Sequence, residues 1–174
     1  MTDLRFPVGQ FEPKAEITAT QRTALIKSVA EAPARLRAAV DKLSPRQLGE
    51  PYRPEGWTVR QVVHHLPDSH LNAYVRFKLA LTEVEPTIRT YDEKRWAELE
   101  DGRDADPEIS LRLLESLHVR WALLLRSLRA ADFARTLKHP DLGVMSLDGL
   151  LQLYEWHGRH HVAHITSLRQ RLGW

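Results

Sequence analysis

Residues 146–174 read SLDGLLQLYEWHGRHHVAHITSLRQRLGW, and they carry four of the chain's nine histidines, His157, His160, His161 and His164. Ser146 opens the run as a candidate N-cap and Gly173 closes it as a candidate C-cap, which brackets one long helix. Within it Leu147, Leu150, Tyr154, His157, His161, His164 and Leu168 recur at spacings that alternate between three and four. Such a row is the face a helix turns to the core of a bundle. Three histidines thus stand where leucine is expected. His160 falls about 60° to one side of His157, at 100° per residue.

The rest of the chain is helical in period as well. A first helix is expected from about Thr20 to Leu43, with Leu25, Ile26, Val29, Leu36, Val40 and Leu43 as its apolar stripe. Pro33 lies inside it and should kink or split it, because proline removes a backbone donor and crowds the preceding turn. Ser44-Pro45 signals a short accessory helix. Thr58 with Gln61 three residues on forms a candidate capping box for a second long helix running to about Leu81. Asp106-Pro107-Glu108 starts a third, to about Leu128. Residues 82–105 read as loop with a turn near YDEKRWAEL, and a loop with His139, Pro140 and Gly143 precedes the last helix. Residues 1–18, with Phe6 and Phe11, read as an extended arm whose aromatics pack on the body. The expected architecture is one domain, residues 1–174: an all-α four-helix bundle with a short accessory helix and an extended N-terminal arm.

Composition narrows the function. The chain has 174 residues, 43% of them hydrophobic and 28% charged, which suits a globular core. A net charge of +2, from 25 basic and 23 acidic groups without a basic run, speaks against a nucleic-acid partner. No apolar run approaches the roughly 18–20 residues of a membrane span. MTDLRFPVGQFEPK lacks the apolar core of a signal peptide, so a cytoplasmic address is expected. There is no cysteine. Any metal must then be held by nitrogen and oxygen, and any thiol must arrive as a substrate.

Buried imidazoles need partners, and a metal ion supplies one directly. His157/His161 and His160/His164 each stand one turn apart, about 6 Å along the axis, so either pair can share an ion. The core-facing row favours His157 and His161. A third ligand can come from the second long helix, whose apolar face is Val62, Leu66, Ala73, Phe77 and Ala80. His65 borders that face, whereas His64 points toward solvent or another contact. Three neutral imidazoles leave a tetrahedral ion one open position, the mark of a catalytic site. Zinc and nickel both suit such ligands. His64, His70, His118, His139 and His160 read as supporting, surface or capping residues. His164, on the seam, competes as a ligand. If His164 or Asp68 closed the site, the chain would be a non-catalytic, metal-stabilised binding bundle. Asp68 follows His65 by one turn and either orients it, accepts a proton or stands solvated.

The stretches GWTVRQVVHHLPDSHLNAYVRFKLALTE, PTIRTYDEKRWAEL and LYEWHGRHHVAHITSLRQRLGW, with the PVGQF arm and LHVRWALLLRSL, resemble the YfiT-like branch of the DinB superfamily over almost the whole chain. The resemblance implies a metal-binding four-helix bundle with three histidine ligands to zinc or nickel. One is the second histidine of VVHH, here His65; the others form the HxxxH pair after the tryptophan of the last helix, here His157 and His161 after Trp156. It also implies a cytoplasmic homodimer, and either of two activities at the same ligands. One is transfer of a low-molecular-weight thiol such as bacillithiol to an electrophile, which is favoured; the other is metal-dependent hydrolysis by water. Arg60, Arg159 and Lys94 are candidate contacts for an acidic thiol, or solvated surface groups. The superfamily's name raises a DNA-binding role, which the charge balance opposes. Pro67 departs from the small or aliphatic residue usual there, and it frees the Val63 carbonyl to bend the helix that carries His65.

Overall fold

A computed structural model describes residues 3–174; the first two residues of the expected arm lie outside it. Four long helices form the bundle: α1 (Ala19–Val40), α3 (Val59–Thr82), α6 (Pro107–Ser127) and α8 (Leu147–Leu172). Between them stand the short α2 (Pro45–Leu48), α4 (Glu93–Ala97), α5 (Glu100–Arg103) and α7 (Ala130–Phe133). Helix α1 packs on α6 and α8, and α3 packs on the same two.

The starts follow the capping signals. Thr58 Oγ1 accepts from the Gln61 amide at 3.2 Å, and Gln61 Oε1 accepts from the Thr58 amide at 3.0 Å. Gln61 Nε2 also donates to the Ala97 carbonyl at 2.9 Å, so one residue both caps α3 and anchors α4. Ser146 caps α8, and Gly173 ends it in the left-handed region at φ 73°. A box not foreseen, Thr18 with Gln21, starts α1. The prolines change less than expected: α1 runs unbroken through Pro33 and α3 through Pro67.

Two segments taken for loop are ordered. The turn near YDEKRWAEL is helix α4, followed by α5. The segment before α8 is an antiparallel hairpin, β1 (Thr136–His139) with β2 (Gly143–Ser146), pairing Leu137 with Met145 and Lys138 with Val144. Strands of four residues are too short to show a period of two against a helical background.

The core has two apolar halves. One gathers Val29, Ala73, Phe77, Trp121, Leu125, Leu150 and Tyr154. The other gathers Leu36, Val62, Leu66, Leu114, Ile165 and Leu168. Between these halves α3, α6 and α8 carry buried histidines: His70, His118, His161 and His164. The arm runs antiparallel along α8. Lys14 exchanges two hydrogen bonds with the Gln152 amide, Trp156 Nε1 donates to the Gly9 carbonyl at 3.1 Å, and His164 Nε2 meets the Arg5 carbonyl at 3.1 Å.

Replacing Thr58 with alanine removes the α3 cap. It should lower unfolding free energy by about 1 kcal/mol, read as a lower denaturant midpoint at unchanged slope.

Candidate metal centre

Three histidines converge where α3 faces α8. His65 Nε2 and His157 Nε2 are 3.3 Å apart. One nitrogen from each of His65, His157 and His161 lies within 4.8 Å of the others. Two imidazoles sharing one tetrahedral ion at 2.0–2.1 Å would hold their nitrogens about 3.3–3.4 Å apart, so the observed pair already has the bite of a shared ion. His65 and His161 are buried and His157 is partly so. Trp57, placed by the turn that precedes the Thr58 cap, covers His65 at 4.7 Å and His161 at 6.3 Å between ring centroids.

Electrostatics keep these rings neutral. Burial pushes His65 down to about 4, helped by neighbouring His160. Burial, then the other histidines, holds His157 and His161 well below the usual imidazole range. A neutral imidazole is the form that ligates, so the donor set fits a divalent cation at neutral pH.

A second group, His160, His161 and His164, also brings its nitrogens within 4.8 Å of one another and shares His161 with the first. His160 is not set aside at the surface as its angle suggested: it is 7% exposed, stacked on Trp156 at 4.4 Å with Phe6 of the arm alongside. His164 stacks on Tyr52 at 3.9 Å and spends Nε2 on the Arg5 carbonyl. The buried Nδ1 atoms of all three rings lack a hydrogen-bond partner. With its Nε2 spent on the arm, His164 is less free to ligate than His157, whose Nε2 faces His65.

The other named residues separate. Lys94 lines the cleft above the histidines, together with Arg53, Glu55, Glu93 and Glu98; the cleft measures about 620 Å³. Arg60 does not join it and donates to the Asp104 carbonyl at 3.1 Å. Arg159 pairs with Glu155 at 2.7 and 3.0 Å, beside a different groove. Asp68 is absent from both histidine groups, and its carboxyl is raised to about 6 by burial and by Asp101. His64 is buried rather than solvated: Nδ1 meets Ser110 Oγ at 2.7 Å and Nε2 the Ala105 carbonyl at 3.1 Å.

Of the supporting, surface and capping roles expected for His70 and His118, burial at 0% and 1% exposure excludes the surface one and leaves them as supports behind His157. His157 Nδ1 and His70 Nε2 are 3.2 Å apart, and His70 Nδ1 and His118 Nε2 2.7 Å. The sequence carried a signal for both. Leu66, His70, Ala73, Phe77 and Ala80 repeat at four, three, four, three, and Leu111, Leu114, His118, Trp121 and Leu125 at three, four, three, four.

The sequence model of the DinB superfamily matches residues 28–165. A Bacillus subtilis protein called "Putative metal-dependent hydrolase YfiT" is 51% identical over 173 residues, 99% of this chain and 97% of that one. A Bacillus cereus protein, "Putative metal-dependent hydrolase BCAH820_2714", is 53% identical over 174 residues, the full length of both. A solved structure of the Bacillus subtilis protein superposes with a TM-score of 0.97 at 50% identity, covering 99% of each chain. It is described as "a probable metal-dependent hydrolase with an unusual four-helix bundle topology".

All nine histidines are shifted down in the folded chain, and burial is the largest cause for each. The unfolded chain therefore takes up protons first as pH falls below 6.5. Stability from these groups is complete above about pH 6.5 and drains away toward pH 4, where unfolding binds several protons. A pH titration by circular dichroism should show acid unfolding in that window. A transition confined below pH 4, where carboxylates titrate, would contradict this.

Proposed function

We propose that this chain, which belongs to the DinB superfamily, is a metal-dependent enzyme that holds one divalent ion on His65, His157 and His161 and uses it to activate a nucleophile. The observation that carries the reading is the convergence of these three neutral rings at the floor of an open cleft, with the two Nε2 atoms 3.3 Å apart. Zinc or nickel suits a set made only of imidazole. When bound there, the ion supplies Lewis acidity that lowers the pKa of a nucleophile delivered to its free side.

The nucleophile we favour is a low-molecular-weight thiol of the bacillithiol kind, transferred to an electrophile. A cleft of about 620 Å³ is far larger than a water molecule needs and admits two small molecules together. Lys94 and Arg53 give its mouth cationic groups to orient an acidic thiol, and Glu55, Glu93 and Glu98 discriminate against a purely anionic one. Tyr52, Trp57 and Trp156 offer an apolar wall for the electrophile. The names borne by the relatives favour a second reading, hydrolysis with water as nucleophile.

The zinc-loaded protein should conjugate small thiols to a chromogenic electrophile, with turnover that needs both metal and thiol. Hydrolysis of ester or amide substrates without thiol would select the second reading instead. His157→Ala should abolish stoichiometric zinc binding and turnover together. A folded His157→Ala protein that kept one equivalent of zinc would overturn the ligand set.

A homodimer in the cytoplasm belongs to the same proposal. Ile109, Leu113, Val119 and Leu123 of α6 are 46–64% exposed. They share an arc of about 120° on that helix, an apolar stripe of the kind that marks an interface. Leu123→Lys should shift the sedimentation coefficient from dimer to monomer.

A further inference from the structure

The buried contacts behind His157 form a line with a direction. His118 Nδ1 stands 2.7 Å from the Val29 carbonyl of α1, His70 Nδ1 2.7 Å from His118 Nε2, and His157 Nδ1 3.2 Å from His70 Nε2. A carbonyl oxygen only accepts, so the hydrogen on His118 must sit on Nδ1. A neutral imidazole has one N–H, so His118 Nε2 is an acceptor and His70 must donate from Nδ1. The same step leaves His70 Nε2 as acceptor and puts the hydrogen of His157 on Nδ1. The lone pair of His157 is then on Nε2, the atom 3.3 Å from His65 Nε2.

We infer that His70 and His118 are positioning residues that fix His157 in the Nδ1–H tautomer, so that its Nε2 is held bare for a metal ion. The line spans three helices, α8 to α3 to α6, and is tied to the backbone of a fourth, α1. It therefore makes ligand orientation depend on how the whole bundle is assembled. It is not a proton conduit. Its far end is an amide carbonyl in the buried interior, which has no proton to give and cannot pass one on. Its surroundings hold the rings at fixed tilt: Trp121 and Tyr154 each meet His70 edge to face, at 5.8 and 5.5 Å. Gly158, next to His157 in the chain, faces His70, where a Cβ would make an ordinary van der Waals contact of 3.6 Å to Cε1.

This inference rests on the three-histidine centre proposed above, and its test reads the two separately. Nitrogen-15 NMR of the histidine rings in the metal-free chain near pH 7.5 should find Nδ1 protonated and Nε2 bare on His118, His70 and His157. Finding Nε2–H on His157 would overturn the inference, whatever the metal does. In zinc competition against a chromogenic chelator, His118→Leu deprives His70 of its acceptor and should weaken binding 10- to 100-fold. His118→Gln, whose amide oxygen can replace Nε2 as acceptor, should restore near wild-type affinity. A folded His118→Leu protein with wild-type affinity would overturn the proposal, and should that variant not fold, the wild-type ring tautomers decide by themselves. A wild-type chain that took up no zinc would remove the metal centre while the NMR result still judged the line.

Discussion

The bundle depends on finding partners for a layer of imidazoles in its interior. Seven histidines, His64, His65, His70, His118, His160, His161 and His164, are at most 7% exposed, and His157 is only partly open. A buried polar group without a partner costs more than a hydrogen bond gains, and most of these rings are served, whereas the Nδ1 atoms of His160, His161 and His164 are left without a partner. Some are served by backbone carbonyls: Val29 for His118, Ala105 for His64, Arg5 for His164. Others are served by each other. Hydrophobic burial above and below supplies the driving force, and the histidine layer fixes the register in which it is used.

How far this was legible depends on whether the deciding contact lay within one helix or between helices. The three-four row on the last helix showed which face was inward, and the caps at Thr58, Asp106 and Ser146 placed the starts of their helices. Those are local properties of helical period and backbone hydrogen bonding. His65, His157 and His161 came together because each stood on or beside an apolar face. His160 broke the rule: its helical angle pointed away from the seam, but the arm and Trp156 wrap that side, and nothing in helical periodicity encodes a covering segment. Arg60 and Arg159 show the same limit. Both were candidate contacts for an acidic thiol or solvated surface groups, whereas Arg60 is bound to the Asp104 carbonyl and Arg159 to Glu155.

Proline offers a further lesson about competing terms. Pro33 and Pro67 each remove a backbone hydrogen bond from a helix interior, and both helices run through. Both prolines are buried against neighbouring helices. Tertiary packing on two sides outweighs one lost backbone bond, which is why propensity alone overestimates the break.

The arm is gripped in an asymmetric way. Gln152, Trp156 and His164 reach out from α8 with their side chains, and what they grasp are main-chain atoms of Lys14, Gly9 and Arg5. In these hydrogen bonds the helix contributes side chains and the arm backbone, while Phe6 and Phe11 of the arm add ring contacts to His160 and Trp156. Replacements should therefore be cheap at arm positions other than Phe6, Gly9 and Phe11, where the carbonyl stays in place, and costly at the three helix positions that hold it. The arm then acts as a ribbon laid across the histidines, held at the main chain by hydrogen bonds and at two phenylalanines by ring packing.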